Sequence, residues 1–280
     1  MSFPLFNVVV LLLLVSPTVT AQRALPDDNL AYPVLVQIPG VDEASGFYLN
    51  TPTDTYFVSA KHVLFDQIGQ LLGPTMTLLS YPKDPKEPGV NRFSVDLVAL
   101  NRAGEIKLHP SADVVVVRVA KSTPVPGDSS HFTLSAVTGV TAVETAKSGV
   151  LGASIDAVKK YDSVLVGNDV ILFGYPTSLG IRGSPQLDPL KPLLRKGIVA
   201  GLKPDSKSII LDCPSYFGNS GGPVVEVDRT FAQNTFNIIG VVSQFVPFDQ
   251  NLINHTLLPN LSNSGYSIVT PMDFVLELVK

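Results

Sequence analysis

Residues 217–223 read Phe217-Gly218-Asn219-Ser220-Gly221-Gly222-Pro223. The string holds a serine up between glycines, whose missing Cβ atoms leave room for a substrate carbonyl beside the hydroxyl. A serine attacks a carbonyl only when a base takes its proton and backbone donors face the oxyanion that forms. Four histidines could supply the base. His62 follows the run Tyr56-Phe57-Val58 and the small residues Ser59 and Ala60, where a strand enters a turn. His109, His131 and His255 sit in loop-like, polar surroundings. A carboxylate must then fix the imidazole tautomer. Two aspartates precede apolar residues, Asp96 before Leu97-Val98-Ala99-Leu100 and Asp113 before Val114-Val115-Val116-Val117. The alternating pattern around Asp96 turns its side chain to solvent. Asp113 heads an unbroken apolar run, a buried strand with the carboxylate at its mouth. Asp113 is therefore the expected partner of His62, with Asp96 as the alternative.

These groups need a frame. Short strand-like runs bounded by turn residues fall near 34–38, 46–49, 56–59, 93–97, 113–119, 164–173, 197–202, 208–211, 223–227, 236–245 and 266–269. No long amphipathic helices alternate with them, which disfavours a βαβ sheet and points to an all-β barrel or sandwich. Residues 121–130 have linker composition and divide the chain roughly in half. One helix closes the sequence over 271–280. Thr270 is placed to cap it, Pro271 suits its first turn and Asp273 completes a capping box. Met272, Val275, Leu276 and Val279 share one face.

The string Gly218-Asn219-Ser220-Gly221-Gly222-Pro223 resembles the nucleophile motif of the chymotrypsin/trypsin family, especially its bacterial HtrA-like branch. Ser59-Ala60-Lys61-His62-Val63 resembles that family's histidine motif, and the order His62, Asp113, Ser220 is the family's order. Gly240-Val241-Val242-Ser243-Gln244-Phe245 resembles its cleft strand, and Gly174-Tyr175-Pro176, Arg195-Lys196-Gly197-Ile198-Val199 and Tyr266-Ser267-Ile268-Val269-Thr270-Pro271 resemble further HtrA-like segments. The resemblance implies two six-stranded antiparallel β-barrels with a short C-terminal helix. Residues 22–120 would form the first barrel with His62 and Asp113, residues 121–134 a linker, and residues 135–280 the second barrel with Ser220. It implies an exported serine endopeptidase acting on protein or peptide substrates through an acyl-enzyme, without metal or cofactor. It assigns the oxyanion hole to the N–H groups of Gly218 and Ser220, support of the aspartate to Ser243, and the substrate channel to Pro214, Phe217, Gln244 and Phe245. Three departures stand out. Asn219 replaces the aspartate that pairs with a new N-terminus in animal zymogens. Pro214 leaves no carboxylate at the pocket base, while Phe245, in place of glycine, narrows the pocket.

The rest of the composition sets bounds. Residues 1–21 are uncharged, with an apolar core from Val8 to Val15 and small residues at Val19-Thr20-Ala21, a secretory signal that makes Gln22 the mature start. That core is too short to span a bilayer, which takes ~20 residues. A net charge of -4 offers no basic footprint for nucleic acid. Cys213 is the one cysteine, so no internal disulfide forms, and its apolar neighbours suit a buried small hydrophobe. Two competing readings remain. An α/β-hydrolase esterase would require a helix after Ser220 and an acid and histidine downstream, such as Asp228 or Asp249 with His255. A catalytically silent, protease-like barrel would bind peptides or a partner through its cleft, with Phe245 or loop 177–194 blocking chemistry.

Overall fold

Runs of valine, leucine and isoleucine between glycines and prolines become strands in the computed structural model, which describes Leu25 and residues 28–125, 128–177, 183–229, 234–248 and 262–279. Segment 1–21, expected from sequence to be a signal, its junction at Gln22, and His255 lie outside the described residues. Strands β1 (Pro33–Gln37), β2 (Ala44–Asn50), β3 (Asp54–Ser59), β4 (Thr75–Ser80), β5 (Asn91–Asp96), β6 (Ile106–Leu108), β7 (Val115–Val125), β8 (Asp128–Ala136), β9 (Val140–Glu144) and β10 (Ala153–Ser154) build a first sheet. Its order is β6-β7-β3-β2-β1-β4-β5-β9, with β8 on β7 and β10 on β2. Strands β11 (Asp169–Gly174), β12 (Leu193–Lys203), β13 (Ser208–Asp212), β14 (Pro223–Arg229), β15 (Asn234–Phe248) and β16 (Ser262–Pro271) close into a barrel.

The fold is mostly β, as expected, and its second half closes with six strands. The first half does not. Strand β9 takes the edge beyond β5, so the row ends at β6 and β9 instead of joining, and the expected closed six-stranded barrel is an open sheet. Residues 121–134, whose composition suggests a linker, pair as the β7–β8 hairpin. Proline and serine are tolerated there because the hairpin lies at the sheet's margin, where an unused N–H costs little. The chain passes to the barrel only after β10.

Three apolar layers hold the halves. One fills the first sheet with Val34, Phe57, Leu78, Leu97 and Val117. Another fills the barrel with Leu172, Leu211, Ile239 and Val269. A third lies between them, where Leu49, Val58 and Val116 meet Ile238, Val241, Met272 and Val275. The C-terminal helix spans Met272–Leu278 and sits in that seam. Its N-terminus carries no side-chain cap, because Asp273 instead accepts from the Tyr161 backbone N–H at 2.7 Å. Tertiary bonding has displaced the local capping box, and Leu278 and Val279, rather than Leu276, join Met272 and Val275 in the seam.

Cys213 is fully buried in the barrel core. Burial pushes its thiol up to about 11, so at neutral pH it is neither exposed nor ionised. The native protein should therefore resist a thiol reagent at neutral pH for as long as the urea-unfolded chain takes to react completely. Rapid reaction of the native state would contradict this packing.

Candidate active site

Strand β3 delivers Ser59 and Ala60 to a short helix, Lys61–Leu64, that exposes His62 at the sheet's end. Four fully buried valines, Val114 to Val117, anchor the start of β7 and leave Asp113 half-buried just ahead of it. The two residues meet there. His62 Nδ1 lies 2.7 Å from Asp113 Oδ2, and the His62 backbone N–H donates to Asp113 Oδ1 at 3.1 Å. Ser243, on the barrel strand β15, donates its hydroxyl to Asp113 Oδ2 at 2.7 Å. Burial pushes the Asp113 carboxyl up, but the hydrogen bond and charge of His62, with the Ser243 and His62 N–H bonds, outweigh it and hold the group below its ordinary value. An ionised carboxylate can only accept, so the imidazole donates from Nδ1, the tautomer that leaves Nε2 as the acceptor in a neutral ring.

Asp96 does something else. It ends β5 and accepts from the Ala99 N–H at 2.9 Å, capping the short helix Leu97–Arg102. The alternating pattern that suggested a continuing strand is broken there by the cap, and Asp96 makes no contact with a histidine among the described residues.

Ser220 lies on a loop clamped between the two halves. Gly218 has φ +93, and a Cβ on it would fall 2.2 Å from the Tyr175 carbonyl. Gly221 has φ +86, and a Cβ there would fall 2.1 Å from the Ser45 carbonyl and 3.1 Å from the Ala60 nitrogen. Larger residues are shut out at both positions by backbone, on top of the strain of positive φ. Gly221 therefore lies against the segment that leads into His62, two residues on. Among the described residues, neither Ser220 Oγ nor His62 Nε2 has a hydrogen-bond partner, and neither do the backbone N–H groups of Gly218 and Ser220. Asn219 is buried, and its Oδ1 accepts from the Tyr216 N–H at 3.0 Å, so its side chain locks its own turn.

The other expected substrate contacts are dispersed around this loop. Phe217 is 65% exposed, and its ring meets Phe245 edge-on at 5.6 Å. Pro214 is half-buried between the end of β13 and the loop. Gln244 is exposed and, with Asp113, Ser243, Asp205 and Lys207, lines an open cavity of about 750 Å³. In loop 177–194, Leu190 packs on Leu35, Leu79, Val90 and Tyr175, and Lys191 lies over the Tyr81 ring at 5.2 Å. The described part of the loop is thus held on the first sheet. His109 is buried behind the site, where its Nδ1 accepts from the Ala112 N–H at 2.9 Å. Two contacts were not expected from sequence, the Ser45 hydroxyl on the Gly218 carbonyl and the Thr177 hydroxyl on the Phe217 carbonyl. The esterase arrangement is excluded locally. Strand β14 follows Ser220 where a helix is required, and Asp228 is engaged by Lys159, Asn168 and Asn237.

Residues 44–231 match the model of a protein family described as trypsin-like peptidase domain. No curated protein matches the chain. Among solved structures, a serine endoprotease from Yersinia pestis aligns at a TM-score of 0.46 and 14% identity, over 89% of this chain and 62% of its own. The HtrA-type protease AlgW with a tripeptide aligns at 0.49 and 12%, over 89% and 59%. Deg5 aligns at 0.47 and 17%, over 89% and 88%.

The two aspartates are separable by substitution. Asp96→Ala should destabilise the fold by about 1 kcal/mol through loss of the cap, leaving any hydrolytic rate within a few-fold. Asp113→Asn should lower kcat by ~10⁴, because the amide favours the wrong tautomer. The depressed Asp113 value means that its pairing stabilises the fold at neutral pH and is lost as pH falls through that value. Asp113→Asn should therefore flatten the acid side of the stability curve. Thermal melts across pH and steady-state kinetics check both, and a reversal of the two kinetic effects would overturn the assignment.

Proposed function

The chain belongs to the trypsin-like peptidase domain family, and from that premise we propose that it is an exported serine endopeptidase with Ser220 as nucleophile. The observation that carries the reading is the chain of hydrogen bonds from Ser243 through Asp113 to His62, set beside the loop that presents Ser220. In this reading Ser220 Oγ attacks the scissile carbonyl while His62 Nε2 takes its proton. The new C–O bond pushes the carbonyl electrons onto oxygen, where the N–H groups of Gly218 and Ser220 receive them, a contribution of ~3–4 kcal/mol in related chemistry. Collapse of the tetrahedral species breaks the C–N bond, and the imidazolium returns its proton to the departing amine. Water then repeats the sequence on the acyl-enzyme, with His62 again acting first as base and then as acid. Asp113 stays ionised throughout and stabilises the imidazolium.

Export rests on the apolar, uncharged segment 1–21, and places the mature protein in the periplasm or outside the cell. Among the described residues no helix is long and apolar enough to cross a membrane. Protein or peptide substrates follow from the family. Pro214 brings no charge to the pocket, and Phe245 with Phe217 crowds its mouth, which favours small aliphatic side chains before the scissile bond.

Purified protein lacking residues 1–21 should be labelled by a fluorophosphonate, and Ser220→Ala should not. Equal labelling of both would refute the nucleophile, and absence of labelling in the parent would favour the silent, peptide-binding barrel. Profiling against a peptide library should show cleavage after Ala or Val, graded by ~1–3 kcal/mol per methylene. Dominant cleavage after Arg or Lys would contradict the pocket reading.

A further inference from the structure

Ser45 opens toward neither solvent nor substrate, yet it touches the nucleophile loop more than any other residue of the first sheet. It lies on β2, fully buried, far from the loop in sequence. Its hydroxyl donates to the Gly218 carbonyl at 2.6 Å and accepts from the Tyr175 N–H at 2.9 Å. Its backbone N–H donates to the Ser220 carbonyl at 2.9 Å. Its own carbonyl accepts from Ser59 Oγ at 2.8 Å and occupies the space that a Cβ on Gly221 would need.

Building on the reading of Ser220 as nucleophile, we infer that Ser45 is a positioning residue whose hydroxyl decides which way the peptide groups of that loop face. Each peptide is planar, with its carbonyl and N–H on opposite sides, so fixing one fixes the other. The loop has four consecutive carbonyls, and each meets a donor. Phe217 O accepts from Thr177 Oγ1, Gly218 O from Ser45 Oγ, Asn219 O from the Gly222 N–H, and Ser220 O from the Ser45 N–H. Ser45 thus secures two of the four. By doing so it sets the Asn219 N–H toward the Tyr216 carbonyl and the Gly221 N–H toward the Val242 carbonyl, at 2.9 and 2.8 Å. The N–H groups left over are those of Gly218 and Ser220, which are the pair an oxyanion would need. Glycines at 218 and 221 make the loop easy to turn, since neither restricts its own φ. Without the Ser45 hydroxyl the Gly218 carbonyl is buried and unpaired, and rotation of the Gly218–Asn219 peptide toward another donor removes that penalty. Such rotation breaks the Asn219 N–H bond to the Tyr216 carbonyl, and the adjoining Phe217–Gly218 peptide, which carries the Gly218 N–H and shares the flexible Gly218 Cα, is no longer held against it. The serine and histidine remain where they are, but the oxyanion loses a fixed donor.

The test compares Ser45→Ala with the parent chain and with Thr55→Ala, which deletes another buried hydroxyl of the same sheet, one bonded to Asn50 away from the loop. Steady-state kinetics on a peptide substrate, inhibition by a peptide aldehyde, thermal melts, and NMR amide exchange at Asn219 and Gly221 are read on all three. In Ser45→Ala, kcat should fall about 10²-fold, the loss typical of a misplaced group, with KM changed by less than about threefold. Affinity for the aldehyde, whose adduct carries the oxyanion, should weaken in step with kcat, and exchange at Asn219 should quicken. Thr55→Ala should lose stability but keep its kcat and its loop exchange. A folded Ser45→Ala with parental kcat, or a loss shared equally by Thr55→Ala, would overturn the inference. If the parent chain neither cleaves peptides nor reacts with a fluorophosphonate, the peptidase reading fails on its own. The tether is then judged by exchange, and Asn219 and Gly221 amides no faster in Ser45→Ala than in Thr55→Ala would overturn it.

Discussion

A single half-buried carboxylate organises the site. Asp113 accepts two hydrogen bonds from His62 and one from Ser243, so the first sheet supplies the carboxylate and the imidazole while the barrel supplies the hydroxyl that braces the carboxylate. Taking a carboxylate out of water is costly unless its oxygens are paired. Here the pairing more than compensates, since the group is held below its ordinary value despite burial. The two halves must therefore dock correctly for Asp113 to gain its third hydrogen bond. The apolar seam of Val116, Val241 and Met272 is what docks them.

The Ser220 loop answers to a second constraint, crowding by backbone. Gly218 and Gly221 are wedged against the Tyr175 and Ser45 carbonyls at separations no Cβ could tolerate. Glycine is thus required twice over, for its conformation and for its size. The same closeness lets the first sheet and the loop after β11 hold the loop's carbonyls, and a buried asparagine rather than an ion pair completes the turn. Local order here comes from neutral hydrogen bonds.

Much of this was legible in the residues. The types and order of His62, Asp113 and Ser220 are a local signal, and the unbroken valines after Asp113 separated it from Asp96 because burial on both faces shows as an uninterrupted apolar run. Strand closure was not legible. Whether β5 meets β6 or β9 depends on edge pairing, which leaves no trace in a strand's own pattern, and β8 is too polar and β9 too exposed to declare themselves. Composition misled at residues 121–134, since serine and proline also suit a marginal hairpin. Asp273 shows the limit of capping rules, its carboxylate being drawn to Tyr161 by the packed fold. Ser45 was invisible for a related reason. It looks like any small residue before a glycine, and its contact with Gly218 spans 173 residues.

The proposed chemistry turns on the protonation geometry of His62, which nitrogen-15 NMR of the imidazole reads directly at neutral pH. The geometry calls for a proton on Nδ1, coupled to Asp113, and the proposed role of His62 calls for an Nε2 free to take the Ser220 proton. Loss of that Nδ1–H signature in Asp113→Asn, and its retention in Asp96→Asn, is the expected result. A ring protonated on Nε2 in the parent protein, or one indifferent to Asp113→Asn, would contradict the account at its centre.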